Sequence, residues 1–140
     1  MYKTIPLELV IMIHDNQIKD FGGTQGHFPD SIDKVESTLT FMFESYFGEE
    51  LYKGLFMKAS YMLYSLSKNH CFPDGNKRVA FNSCEIFLGL NGYELDTSKV
   101  DFAKFVEDVA SSEVRGLDID NYIIEIADYL EKNSICFKDE

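Results

Sequence analysis

Arginine is nearly missing from this chain. Arg78 and Arg115 are its only two, in a basic set of 13 residues that faces 24 acidic ones for a formal net charge of −11. Proteins that bind DNA or RNA neutralise phosphates with Lys and Arg, so a surface of this sign argues against direct nucleic-acid binding and still admits a cationic peptide. Cysteine is also scarce. Cys71, Cys84 and Cys136 are odd in number and lack metal-ligand spacing, which gives no basis for a disulfide framework or a cysteine zinc site. No apolar stretch approaches the roughly 20 residues of a membrane span. Met1-Tyr2-Lys3-Thr4 does not open a charged segment followed by a long apolar run. The expectation is a cytoplasmic protein without a membrane partner.

What the chain holds in quantity is apolar surface: 45% of its 140 residues are hydrophobic and 14% aromatic, enough for one packed domain over residues 1–140. Helical spacing of apolar residues recurs in six segments. Leu7, Val10, Ile11, His14, Ile18 and Phe21 line the first, which starts near Pro6 and stops at Gly22-Gly23. His14-Asp15 on this face could be half of a metal site, but with only His27 and His70 elsewhere a structural hydrogen-bonding role is preferred. His27 itself reads as a loop residue. Asp30 or Ser31 can cap a second helix with Ile32, Val35, Leu39, Met42, Phe43 and Tyr46 inward and Gly48 as its stop. Leu51, Leu55, Ala59, Met62, Leu63 and Leu66 mark a third; Val79, Ala80, Ser83, Cys84, Phe87 and Leu90 mark a fourth. Ser98 to Asp101 fits a capping box for a fifth helix carrying Phe102, Phe105, Val106 and Val109, closed by Gly116. Asp118 opens a sixth, whose Ile119, Tyr122, Ile123, Ile126, Ala127 and Leu130 oppose a solvated acidic face. No strand pattern stands out, and residues from Asn133 read as frayed. The predicted fold class is all-α, a bundle of about six helices with a loop between two central ones.

That loop, His70-Cys71-Phe72-Pro73-Asp74-Gly75-Asn76-Lys77-Arg78, holds the chemistry. Pro73 interrupts the helical pattern, and Asp74-Gly75-Asn76 is turn-forming and suits a new helix start. Such a start leaves unpaired N–H groups and a partial positive charge, which favour phosphate. Gly75 allows close approach, Asn76 offers an amide donor, and Lys77 and Arg78 offer a point charge and a planar fork. Asp74 is a hard oxygen ligand suited to Mg²⁺ held against phosphates. His70 can remove a proton near neutrality. Taken singly these residues have bland readings as a helix-end hydrogen-bonder, a turn and a solvated pair. Together they read as a polyphosphate cradle beside a base.

The stretch resembles the signature of the Fic/Doc family, roughly His-x-Phe-x-Asp-Gly-Asn-Gly/Lys-Arg, with Lys77 matching the Doc (death-on-curing toxin) branch. Phe47-Gly48-Glu49-Glu50-Leu51-Tyr52 resembles the family's target-docking flap. Asn91-Gly92-Tyr93-Glu94-Leu95 resembles the end of its post-motif helix, and His14-Asp15 and Phe21-Gly22-Gly23 are also Doc-like. From the residues alone, the flap segment could equally be a turn whose Phe47 and Tyr52 close the core. The resemblance implies a helical Fic fold, ATP with Mg²⁺ at Asp74 to Arg78, and His70 activating a target hydroxyl. Catalytic weight falls on His70, Lys77 and Arg78, nucleotide binding on Gly75, Asn76, Lys77 and Arg78, and metal binding on Asp74. In the Doc branch the reaction is phosphoryl transfer to elongation factor Tu, and the protein is the toxin of a toxin–antitoxin pair.

Two departures from the signature bear on the reaction. Cys71 stands where proline is common, and Phe81 stands where many Fic AMP-transferases carry a second arginine. The second weakens a reading as an AMP-transferase, which follows phosphoryl transfer as the alternative, with a catalytically silent binding module third. The inhibitory Ser/Thr-x-x-x-Glu pattern of Fic proteins has one near match, Thr40 to Glu44, on an early helix that does not suit that role. Inhibition in trans by an antitoxin is therefore expected.

Overall fold

The computed structural model describes residues 1–138. Six helices form: α1 (Leu7–Phe21), α2 (Ser31–Phe41), α3 (Leu55–Lys68), α4 (Asn76–Leu90), α5 (Phe102–Ser111) and α6 (Asp118–Lys132). Two small hairpins accompany them, β1 (Ser45–Tyr46) with β2 (Glu49–Glu50), and β3 (Tyr93–Leu95) with β4 (Ser134–Cys136). None of the described helices is long and apolar enough to cross a membrane.

The α3–α4 pair is the axis of the bundle. Ala59, Met62, Leu63 and Leu66 of α3 meet Val79, Ala80, Cys84, Phe87 and Leu88 of α4, all essentially buried. Truncating one such leucine, Leu63, to alanine would cost about 2–5 kcal/mol. α2, α5 and α6 pack on α3, while α1 and α5 pack on α4. Polar ties supplement this packing. Ser60 Oγ donates to the Ile123 carbonyl of α6 at 2.5 Å, and the Thr38 and Ser65 hydroxyls meet at 2.6 Å between α2 and α3. The α3–α4 connection therefore emerges from a tightly packed pair.

Several local expectations are corrected by contacts between segments distant in sequence. Within the stretch that reads as frayed, Ser134–Cys136 is a paired strand: Tyr93 faces Cys136, Glu94 faces Ile135 and Leu95 faces Ser134. Tyr93–Leu95 is thus strand, not helix end. α2 stops at Phe41 instead of running to Gly48, and Ile32 and Tyr46 are exposed instead of inward. Asp101 alone caps α5, accepting from the Lys104 N–H at 3.1 Å, because Ser98 is engaged with Asp96. α5 closes at Ser111, and Gly116 belongs to the turn that leads into α6.

Candidate active site

α3 ends at Lys68 with Asn69 as its cap, and His70 follows in the left-handed region at φ 48°, a costly backbone for a residue with a Cβ. The turn is held from α2, where Lys34 Nζ donates to the Asn69 and His70 carbonyls at 3.3 Å each. A cation at the carboxyl end of a helix also complements its dipole. Phe72 then plunges into the core and stacks on His14 with ring centroids 3.8 Å apart. The Asn76 carboxamide grips the Phe72 backbone on both sides, accepting its N–H at 3.0 Å and donating to its carbonyl at 2.8 Å. The side chain of Asn76 is therefore a loop clamp, and its backbone N–H is what it brings to the helix start.

Gly75 completes the turn at φ +85°, where an added Cβ would also press on Ile18 Cδ1 at 3.3 Å. The Asp74 carboxylate accepts the Thr24 N–H at 3.0 Å through Oδ2 and the Gly75 N–H at 2.8 Å through Oδ1. These two bonds, Thr24 first, hold its carboxyl below the usual range. Gly23 fits against it so tightly that a Cβ there would sit 2.7 Å from Asp74 Oδ2. Each carboxylate oxygen accepts one bond, so a lone pair on each is left for a cation.

His70, Asp74, Gly75, Asn76, Lys77 and Arg78 line one cleft of about 610 Å³. Its other walls come from α1, with Gln17 and Phe21, and from α5, with Glu107 and Ser111. Arg78 lies 4.5 Å over the Phe21 ring, and among the described residues neither Lys77 nor Arg78 is in an ion pair. Along the start of α4 the first backbone bond runs from Val79 N–H to the Gly75 carbonyl, so the N–H groups of Asn76, Lys77 and Arg78 lack acceptors among the described residues. Cations without an ion pair among the described residues, beside a helix start with unbonded N–H groups, are groups that favour an anion. Phe81 packs on Phe102 of α5 at 4.8 Å and presents no charge there. Glu44 is outside the cleft.

The segment Phe47 to Tyr52 forms the second strand and turn of the β1–β2 hairpin, with Ser45 opposite Glu50 and Tyr46 opposite Glu49. Phe47 sits at its tip, fully exposed, while Tyr52 stacks on Tyr61 at 4.6 Å. Phe47 does not close the core. The hairpin is anchored by Lys58, a buried lysine whose Nζ reaches the Glu50 carboxylate and donates to the Tyr52 carbonyl at 2.6 Å. Sequence reading passed over Lys58, although its spacing from Leu55 and Met62 puts it on the apolar stripe of α3. Lys34, Gln17 and Glu107 left no local signal, since they meet the loop from other helices.

The molecule is a helical bundle whose central helix pair brings an imidazole, a carboxylate and two cations to one cleft. The sequence profile of the Fic/DOC family matches residues 4–88, and the chain belongs to that family. The chain is similar to the protein named Toxin Doc of Mycolicibacterium smegmatis (strain ATCC 700084 / mc(2)155), 36% identical over 85 residues. That alignment covers 59% of this chain and 63% of the relative, so the chain matches less than two thirds of the relative's length. The family match takes in α1 through most of α4 and leaves the α5 wall, with Glu107 and Ser111, outside it.

Proposed function

We propose that this protein transfers the terminal phosphoryl group of ATP to a Ser or Thr hydroxyl of a target protein, acting as the toxin of a toxin–antitoxin pair. The observation that carries the reading is the meeting of His70 with Asp74, Lys77, Arg78 and the bare start of α4 in one cleft. Lys77 and Arg78, with the first N–H groups of α4, would hold the phosphates in line with the hydroxyl. His70 would take the hydroxyl proton as the oxygen bonds to the terminal phosphorus and the bond to ADP breaks. Asp74, with its remaining lone pairs, fits a role as ligand of Mg²⁺, which supplies charge neutralisation on the phosphates.

The hairpin with Phe47 at its tip offers a short exposed strand edge, Glu49–Glu50, on which a target backbone could lie. Elongation factor Tu is the target that the Doc resemblance implies. Transfer of AMP is the alternative; it loses support because Phe81 is packed on Phe102 where a second phosphate-binding arginine would be needed. A catalytically silent module fits less well, since His70, Asp74, Lys77 and Arg78 all line the cleft. Inhibition falls to an antitoxin in trans, consistent with Glu44 lying away from the phosphates.

Titration calorimetry tests the cleft assignment. Asp74→Ala should weaken binding of ATP in the presence of Mg²⁺ and change it little without the metal, while Arg78→Ala should weaken both. Undiminished Mg²⁺-ATP binding by Asp74→Ala would remove Asp74 from the metal role.

A further inference from the structure

A second group of ligand atoms converges outside the cleft, on the far side of the motif loop. His14 Nδ1 lies 2.9 Å from Asp15 Oδ1, and His27 Nε2 lies 2.8 Å from the same oxygen. The three ligand atoms fall within 4.8 Å of one another. His27 arrives from the loop between α1 and α2, and its separation of 12 positions from Asp15 hides this proximity in the sequence.

The tautomer of His14 decides what the cluster can hold. Its Nε2 is 3.0 Å from the Asp74 carbonyl oxygen, which can only accept, so Nε2 carries the proton. A neutral imidazole then presents a bare Nδ1 lone pair to a carboxylate oxygen, on a side chain only 1% exposed. That nitrogen and the carboxylate oxygen face each other at 2.9 Å, and a cation shared between them satisfies both. A metal ion satisfies all three groups at once. The Nε2–H bond from His14 to a backbone carbonyl is also the outer support that metal-bound imidazoles almost always have.

We propose that His14, Asp15 and His27 form a binding site for a divalent transition cation of the zinc class, with solvent completing the coordination. Two imidazoles and one carboxylate suit Zn²⁺, Co²⁺ or Ni²⁺, whereas Mg²⁺ takes oxygen ligands, so this site is chemically distinct from the one assigned to Asp74. The cation would staple the glycine-rich loop after α1 onto the helix. Through the His14–Asp74 bond and the His14–Phe72 stack it would also stiffen the motif loop.

The test uses the full-length chain freed of metal by chelation and titrated with Zn²⁺ by calorimetry and with Co²⁺ by visible absorption. The expected result is one site per chain. Binding should weaken by more than about 100-fold in His27→Ala and Asp15→Asn, beyond the roughly 10–100-fold seen for loss of an outer partner. His27 is in an exposed loop, so circular dichroism should show its variant folded; His14 packs on Phe72, and its variant is not needed. His70→Ala and Cys136→Ser, which remove other exposed zinc-capable side chains, should bind as the parent does. The proposal is overturned by the absence of binding, by binding that survives His27→Ala, by binding lost in Cys136→Ser, or by nitrogen NMR showing both His14 ring nitrogens protonated with Zn²⁺ in excess.

Discussion

Asn76→Ala separates two roles that the same carboxamide could play, clamp of the loop or ligand of the nucleotide. In the fold, Asn76 accepts the Phe72 N–H at 3.0 Å and donates to the Phe72 carbonyl at 2.8 Å. Phe72 is 1% exposed, so truncation leaves a largely buried donor and acceptor without partners. Each net hydrogen bond contributes about 1 kcal/mol, and an orphaned group adds a desolvation penalty, which together give a loss of about 2–3 kcal/mol. With an unfolding entropy of roughly 2.1 cal/mol/K per residue, a chain of 140 residues has about 0.3 kcal/mol/K. The melting midpoint should therefore fall by about 7–10 °C. Differential scanning calorimetry gives the midpoint, and titration calorimetry well below it gives ATP affinity, which should fall much less than transfer activity because the backbone N–H of residue 76 remains. An unchanged midpoint combined with lost nucleotide binding would refute the clamp and return the carboxamide to the phosphates.

Further outcomes are expected elsewhere. His70→Ala should lower transfer by roughly 10²–10⁴-fold while leaving nucleotide binding nearly intact in calorimetry; turnover near that of the parent would remove His70 from the mechanism. Lys77→Gly should reduce phosphorylation more than nucleotide affinity, with at most weak AMP transfer, because Phe81 still withholds a second arginine; mass spectrometry of the modified target distinguishes the adducts. Lys58→Met should loosen the hairpin and raise KM for the protein target by roughly tenfold, about the 1.4 kcal/mol of one charge-assisted hydrogen bond, with ATP binding unchanged. Burial raises the Glu85 carboxyl above its usual value. Its folded form thus binds the proton more tightly than its unfolded form, and this stabilising contribution, full below the unfolded pKa, is lost as pH rises through the raised folded value. Glu85→Gln should accordingly melt higher than the parent at pH 7 and near it at pH 4, and equal midpoints at both would contradict the burial effect.

The helices were legible because each carries its own apolar stripe, and α6 shows this best: Ile123, Ile126, Ala127 and Leu130 are all buried as their spacing requires. The motif loop was legible because its chemistry is contiguous, from His70 to Arg78. What escaped depends on partners remote in the chain. β3 and β4 are short strands about forty residues apart, each too brief to show alternation, and their pairing becomes visible only when α4 and α6 bring them side by side. Lys34 and His27 look like ordinary surface residues until the fold sets a carbonyl or a carboxylate against them. In the sequence Asn76 reads as a ligand group because carboxamides can donate to phosphates, whereas a four-residue step back to Phe72 places both of its polar atoms on the backbone. Local periodicity reports which face is buried; it does not report what a polar side chain on that face will meet.

The most direct measurement of the proposed reaction is transfer of label from ATP carrying ³²P at either the α or the γ position, in a bacterial lysate incubated with the purified protein and Mg²⁺. Phosphoryl transfer predicts a labelled protein band with γ-label, none with α-label, and loss of the band in His70→Ala. A band labelled from the α position by the parent protein, with Lys77 in place, would contradict the kinase assignment and establish AMP transfer instead.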